Sequence, residues 1–320
     1  MKSSVAISND AVEAVAVRKK RKFNTAQLQF LILALPAIIL IFVFNYLPMS
    51  GIVIAFKNFK FARGIFASEW VGLENFKFFF KSNDALRVIR NTLLYNACFI
   101  VADMVFPVTF AIFLSQIRSK LAIKGYQTSI FLPYFLSWVV ISYMTLSFFD
   151  YNSGMFNMIL QKNGKEMISW YSQSKYWPFI FIFFHVWKDI GYKTLVYYAS
   201  IIGIDTSIYE AARTDGCSEF KSIFRITVPM IRGTIIMLAI LQVGSIFRAD
   251  FGLFYQLPQN SGALMNVSDV VDTYIFRTLM VTGNTSVSAA VGLVQSVVGL
   301  ILVLLTNYIV GRIDSDSTLF

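Results

Sequence analysis

The sequence predicts an all-α polytopic membrane protein of about six transmembrane helices. Three observations point there. Hydrophobic residues make up 56% of the chain and charged residues 14%, with a mean hydropathy of +0.61, a balance typical of chains that live in a bilayer. Apolar stretches long enough to cross a membrane, roughly 20 residues each, recur along the chain. Late in the chain, one markedly polar stretch, residues 207–229, interrupts them and carries helix start and stop signals.

Residues 1–28 are polar and read as a cytoplasmic tail. Its basic run, Arg18, Lys19, Lys20, Arg21 and Lys22, holds that end on the cytoplasmic side. The apolar stretch 30–56 is too long for a signal-peptide core and reads as an uncleaved first span, with Pro36 and Pro48 as places to bend. Further spans are predicted near 91–116, 126–150, 177–202, 231–254 and 286–311. The transmembrane domain then occupies 29–315, both termini lie inside, and the loop 203–230 faces the cytoplasm. Basic residues fall on both sides with a small excess inside, and the outer loop 57–90 is unusually basic. Orientation therefore rests on the N-terminal run and the 203–230 loop.

Several function classes are excluded by what the chain lacks. Its net charge of +10 is scattered over loops and span edges, without the interleaved aromatic platform that binds single-stranded nucleic acid; the anionic membrane surface is the better partner. Cys98 and Cys217 fall in different regions, and His185 is the sole histidine, so neither a disulfide nor a metal cluster is expected. Gly164-Lys165 has no upstream glycine at phosphate-loop spacing and no following Ser or Thr, so the chain has no nucleotide site of its own and needs no cofactor.

The spans hold a limited set of polar side chains. In the fourth, His185, Asp189, Lys193 and Tyr197 recur at four-residue spacing, with Lys188 and Tyr192 alongside. Such spacing gives one helix face. Charges there call for a protein interior or an aqueous path, so this face is expected to line a translocation path; a purely structural Asp189–Lys193 pair is the alternative. In the fifth span, Arg248 and Asp250 would point to nearly opposite faces of an ideal helix, with Tyr255 on the Arg248 side. In the sixth, Gln295 lies among small residues suited to close packing. Asn96 and Asp103 in the second span share a face and suit a hydrogen-bonded helix contact. A few aromatic residues on path-facing helices, Tyr197 and Tyr255 among them, are candidates to stack on sugar rings, and the sequence does not single out which of them do.

In the stretch 207–229, Ser207 and Glu210 have the S-x-x-E spacing of a capping box, Gly216 suits a left-handed helix cap, Ser218 can start a second short helix, and Pro229 suits the first turn of the next long one. Glu210-Ala211-Ala212, with Gly216 after three residues and Ile226 and Pro229 beyond, resembles the EAA loop of binding-protein-dependent ABC importer permeases. The resemblance implies an importer-type permease core whose cytoplasmic coupling helices dock on an ATPase, with Tyr209, Glu210, Ala211, Ala212, Asp215, Gly216 and Pro229 as the ATPase-coupling residues. It also implies partners: a second homologous permease, two cytoplasmic ATPase subunits that carry ATP and Mg, and an extracytoplasmic substrate-binding protein, all at a bacterial cytoplasmic membrane. The chain itself would not be an enzyme.

Asn45-Tyr46-Leu47-Pro48-Met49, Ile54-Ala55-Phe56-Lys57, the run Trp70 to Phe76 and the run Phe247 to Tyr255 resemble the poly- and oligosaccharide subgroup, including permeases for alginate and aldouronates. An acidic uronate cargo is therefore expected, consistent with Lys188, Lys193 and the basic outer loop. From the polar residues of the spans, His185, Lys188, Asp189, Lys193, Tyr197, Arg248, Asp250, Tyr255 and Gln295 are expected to form the substrate path. The alternatives are a neutral oligosaccharide or other small solute, or an ion-coupled secondary transporter, which would need paired carboxylates or broken helices at the midplane.

Overall fold

A computed structural model describes residues 25–313. The basic run 18–22 and most of the proposed tail lie outside the described residues. The chain divides between Ser50 and Gly51 into two compact units. The first is one apolar helical run. It begins as α1 (Thr25–Ile41) and continues through a π turn, Phe42–Tyr46, into 3-10 turns from Leu47 to Phe56. The change of pattern falls where Pro48 supplies no N–H to the carbonyl four residues back.

The second unit begins within those 3-10 turns, at Gly51, and continues as a two-stranded ribbon, β1 (Lys57–Asn58) against β2 (Glu69–Trp70), that encloses the single turn α2 (Gly64–Ala67). Next come α3 (Glu74–Lys81), α4 (Asn83–Gln116), α5 (Lys120–Phe131), α6 (Trp138–Phe149) and α7 (Met155–Lys162). The long α8 (Trp177–Ile202) leads to α9 (Thr206–Thr214), α10 (Glu219–Ser222) and α11 (Val228–Met230). The chain ends with α12 (Arg232–Gly244), α13 (Phe251–Gln256), α14 (Met265–Ser268), α15 (Val271–Met280) and α16 (Thr285–Ile313). The ribbon is the only sheet among the described residues, so the fold is all-α in its load of structure.

Three stretches are long and apolar enough to cross a membrane alone: 29–56, α4 and α16. Two bent pairs reach that length together, one through α5 and α6 with a 98° bend and one through α10–α11 and α12 with a 57° bend. At ~1.5 Å per residue, the 26 residues of α8 reach ~39 Å, which exceeds a hydrocarbon core of about 30 Å. Six crossings follow if each bent pair counts as one.

Two expected spans are corrected. The third is not one helix over 126–150. Pro133 sits in a 3-10 turn, Leu132–Phe135, and Leu136 is extended. Ser137 then restarts the helix by accepting a bond from the Val140 N–H at 3.3 Å. The fifth span does not run to 254. It stops at Gly244, and residues 245–250 are unwound before α13 begins.

An aromatic core joins α4, α8 and α13 through Tyr95, Phe99, Phe181 and Phe254. A second cluster joins α4, α8 and the loop ends around Tyr197, Ile201 and Ile231. Gly191 of α8 lies under the end of α5: a Cβ there would collide with the Ile130 carbonyl and the Phe131 backbone. Gly191→Val should therefore force the two helices apart. The expected cost is about 1–3 kcal/mol, the usual range for overpacking, read as a lower melting temperature of the purified chain in detergent. An unchanged melting temperature would mean that α5 does not dock there.

Candidate functional site: a buried charge cluster, two helix breaks and a polar helical loop

The polar line of α8 meets α4 at Asp103, which is 4% exposed. Lys193 Nζ donates to Asp103 Oδ2 at 2.5 Å and stands 3.5 Å from Asp189 Oδ2. His185 Nε2 is 3.2 Å from the same Asp103 oxygen, and its ring stacks on Phe99 at 3.8 Å between centroids. The Asp189–Lys193 pair, the structural alternative for this face, is thus secondary, and Asp103 is the main partner. The register of α4 against α8 decides this, and single-helix spacing does not show it. Tyr197 is corrected outright. It is 1% exposed, packed with Val108, Ala111 and Ile231, and offers no face to a solute.

Lys188 serves the break between α5 and α6. Its ammonium donates to the Tyr134 carbonyl at 2.9 Å and the Leu136 carbonyl at 2.8 Å. It also lies 5.5 Å from the rings of Tyr134 and Trp138. A broken helix frees carbonyls that lipid cannot satisfy, and this lysine satisfies two of them. Tyr134 stacks on Tyr192 at 5.4 Å, and both rings remain partly exposed.

The second break, residues 245–250, is held by three distant side chains. Asn96 Nδ2 donates to the Ile246 carbonyl at 2.9 Å, Gln295 Nε2 to the Phe247 carbonyl at 2.7 Å, and the Ala249 N–H donates to Asp272 Oδ2 at 2.7 Å. Gln295 also donates to Asp272 Oδ2 at 3.1 Å. Gln295 is therefore a clamp on the unwound backbone. The helical-wheel placement of Arg248 and Asp250 is corrected, because neither lies in a helix. Asp250 caps α13 through the Leu253 N–H at 3.2 Å and accepts the Trp138 indole N–H at 2.7 Å. Arg248 is exposed. Tyr255 belongs to a three-ring cluster, stacked on Phe251 at 4.9 Å and edge-on to Phe276 at 5.0 Å, with Phe251 and Phe276 4.8 Å apart.

The 203–230 loop folds as two short helices, as its spacing indicates, but the first cap differs. Asp205 is the N-cap of α9, accepting the Ser207 N–H at 2.9 Å. That backbone bond holds the Asp205 carboxyl below the usual carboxylate range. Ser207 is therefore inside the helix and forms no capping box with Glu210. Gly216 has φ +75°, and the Cys217 N–H reaches back to the Ala212 carbonyl at 2.8 Å, the backbone closure of a glycine-terminated helix. Ser218 caps α10 through the Lys221 N–H at 3.4 Å. Pro229 lies in the separate turn α11, ahead of the bend at Ile231, and does not open α12.

Glu210, Ala211, Asp215, Gly216 and Pro229 are exposed, while Tyr209 and Ala212 are half-buried. The Tyr209 hydroxyl bonds Thr227 Oγ1 at 3.0 Å and ties α9 to the root of the next span. A cavity of about 430 Å³ separates α9 from the ends of α4 and α8, bordered by Gln116, Ile201 and Tyr209. Phe220 and Phe224, absent from the sequence-based set, are 72% and 60% exposed with ring centroids 5.0 Å apart. Two phenylalanines four apart in a polar loop were the available signal, since that spacing forms one face.

No protein-family model matches the chain. It is 34% identical over 286 residues to protein LplB of Bacillus subtilis, covering 89% of each chain. It is 31% identical over 312 residues to the polygalacturonan/rhamnogalacturonan transport system permease protein YteP of the same organism, covering 96% of this chain and 97% of that one. Among solved structures, it superposes on a chain of a bacterial ABC transporter involved in the import of the acidic polysaccharide alginate with a TM-score of 0.82 at 29% identity, covering 90% of this chain and 97% of that one. A second crystal structure, of a bacterial alginate ABC transporter in complex with alginate pentasaccharide-bound periplasmic protein, gives 0.81 at 29% identity, covering 90% and 96%. With two relatives above 30% identity matched over nearly their full lengths and the same fold in solved transporters, the chain belongs to the family of ABC transporter permeases for sugar and polysaccharide uptake.

Proposed function

We propose that this chain is the membrane-crossing subunit of an ATP-driven importer for acidic saccharides, uronate oligomers above all. The observation that carries this is the likeness across nine-tenths of the chain to permeases named for alginate and polygalacturonan, both polymers of uronate sugars. The subunit works beside a second, homologous permease, two cytoplasmic ATPase chains that hold ATP and Mg, and an extracytoplasmic binding protein that delivers the sugar. It lies in the bacterial cytoplasmic membrane with both termini inside, residues 1–28 as a cytoplasmic tail and 29–315 as the permease domain.

In this reading Tyr209, Glu210, Ala211, Ala212, Asp215, Gly216 and Pro229 couple the permease to the ATPase. Closure of the ATPase dimer on ATP moves α9 and α10 as a unit. The Tyr209–Thr227 bond passes that motion to α12. Phe220 and Phe224 extend the docking face, because an exposed aromatic pair at the edge of a polar loop favours burial against a protein partner. The path is framed by α8 and the 245–250 break, with His185, Asp189 and Lys193 as its polar wall, Lys188 and Gln295 bracing its breaks, Arg248 and Asp250 along the unwound segment, and Tyr255 on α13 just beyond it.

Co-purification tests the assignment. Co-expressed with its ATPase and sister permease, the chain should be retained with both on a tagged ATPase. Phe220→Asp together with Phe224→Asp should lower that retention at least severalfold while leaving the chain in the membrane fraction. Solute uptake that persists without any ATPase and collapses with an ionophore would instead mean an ion-coupled transporter.

A further inference from the structure

An acidic saccharide must pass cations in the membrane, and the structure removes most of those the sequence offers. Lys188 is committed to two backbone carbonyls, and Lys193 to Asp103 and Asp189. Outside the spans, Arg87 and Arg277 both converge on Asp269, which is almost fully buried. Lys57 donates to the carbonyls of Ile65 and Phe66.

Arg248 differs from these. Its side chain is exposed, and it forms no ion pair with any carboxylate among the described residues. Asp272 stands near enough to feel its charge, but that carboxylate is occupied by the Ala249 N–H and the Gln295 amide.

The depth of Arg248 can be read from its neighbours. α12 ends at Gly244, where an added Cβ would strike the Val303 side chain of α16. The carbonyl of Gly244 lies 3.0 Å from the Cβ position of Gly299, the middle residue of α16. The next anchor, Gln295 on the Phe247 carbonyl, lies one turn along α16. Arg248 therefore sits about one helical turn from mid-span. Unwound backbone at that depth is tolerated only inside protein or beside a water-filled cavity, and an exposed guanidinium there needs water or an anion.

We infer that Arg248, presented by the unwound segment 245–250, is the residue that receives the carboxylate of the acidic saccharide as it crosses the middle of the membrane. Guanidinium matches carboxylate in a two-pronged geometry that a lysine cannot copy. The clamps from Asn96, Gln295 and Asp272 fix the backbone on either side of Arg248, so the cation is presented without a helix turn to satisfy. Lys188 and Lys193 are then positioning residues, and charge selectivity rests on Arg248.

This rests on the acidic-saccharide reading above, and the test separates the two. The complete transporter is reconstituted in liposomes with its binding protein and given a uronate trisaccharide or a neutral trisaccharide. Arg248→Gln should lower uronate uptake at least about tenfold, the scale of one charge-assisted hydrogen bond, and leave neutral uptake and complex assembly within about twofold. Arg248→Lys should recover part of the loss. Equal losses for both sugars, or a complex that falls apart with Arg248→Gln and holds with Arg248→Lys, would overturn the inference and make Arg248 a structural partner of the sister subunit. Wild-type protein that carries only the neutral sugar would overturn the acidic reading itself.

Discussion

Replacing Gly216 with valine is expected to cut ATP-driven import at least about tenfold while leaving the chain folded in the membrane. Gly216 has φ +75°, and nothing lies within 4 Å of where its Cβ would point. The penalty is therefore conformational and not a collision. A left-handed backbone costs an ordinary L-residue about 1–2 kcal/mol, and a β-branched one more. The chain can escape by abandoning the turn, which breaks the Cys217 to Ala212 closure and swings α10 away from α9. The loose Arg213–Glu219 pair across that turn, 3.6 Å apart and exposed, is too weak to hold them. Because local conformation is the cause, the order of activity should be Gly216, then Gly216→Asn, then Gly216→Ala, then Gly216→Val, since asparagine tolerates the left-handed region. Uptake by Gly216→Val equal to wild type would remove the loop from the coupling role.

The second large effect concerns the buried pair between α4 and α8. Lys193→Met should destabilise the protein by about 3–5 kcal/mol, because it strands the Asp103 carboxylate in a site 4% exposed. Asp103→Asn combined with Lys193→Met removes both charges and should restore most of the stability, by the rule that removing a whole buried pair is far milder than removing half. Asp189→Asn combined with Lys193→Met should not rescue, since Asp189 is the more distant and more exposed carboxylate. Thermal unfolding of the three variants in detergent decides it. Rescue by the Asp189 change and not by the Asp103 change would reverse the assignment of the pair.

Those two sites show what a single sequence makes legible. The 203–230 loop is local, with caps, turn and exposed face all set within about 20 residues, so its two-helix form could be read from spacing. Even there one cap was misassigned, because Asp205 and Ser207 are both good N-cap residues and only the backbone shows which one leads. The all-α membrane class follows from hydropathy alone. Hidden from the sequence were features made by elements far apart in it. Asp103 meets Lys193 across 90 residues, and nothing in either helix names the other. The break at 245–250 contains no proline or glycine, and its carbonyls are satisfied by Asn96 and Gln295, 150 and 48 residues away. The break at 132–137 did carry a sign, Pro133, but an apolar run masked it. Tyr197 falls on the same helical line and is still buried, because Val108 and Ala111 of α4 and Ile231 at the root of α12 close over it.

The most direct test of the central claim is transport by a reconstituted complex. The chain is assembled in liposomes with its sister permease and ATPase, ATP is enclosed, and the binding protein is loaded outside with a radiolabelled uronate oligosaccharide. Label should accumulate inside only when ATP, binding protein and this chain are all present, and Glu210→Lys in this chain should stop it. Accumulation that proceeds without ATP, or ATP-driven accumulation unaffected by omitting this chain, would contradict the account.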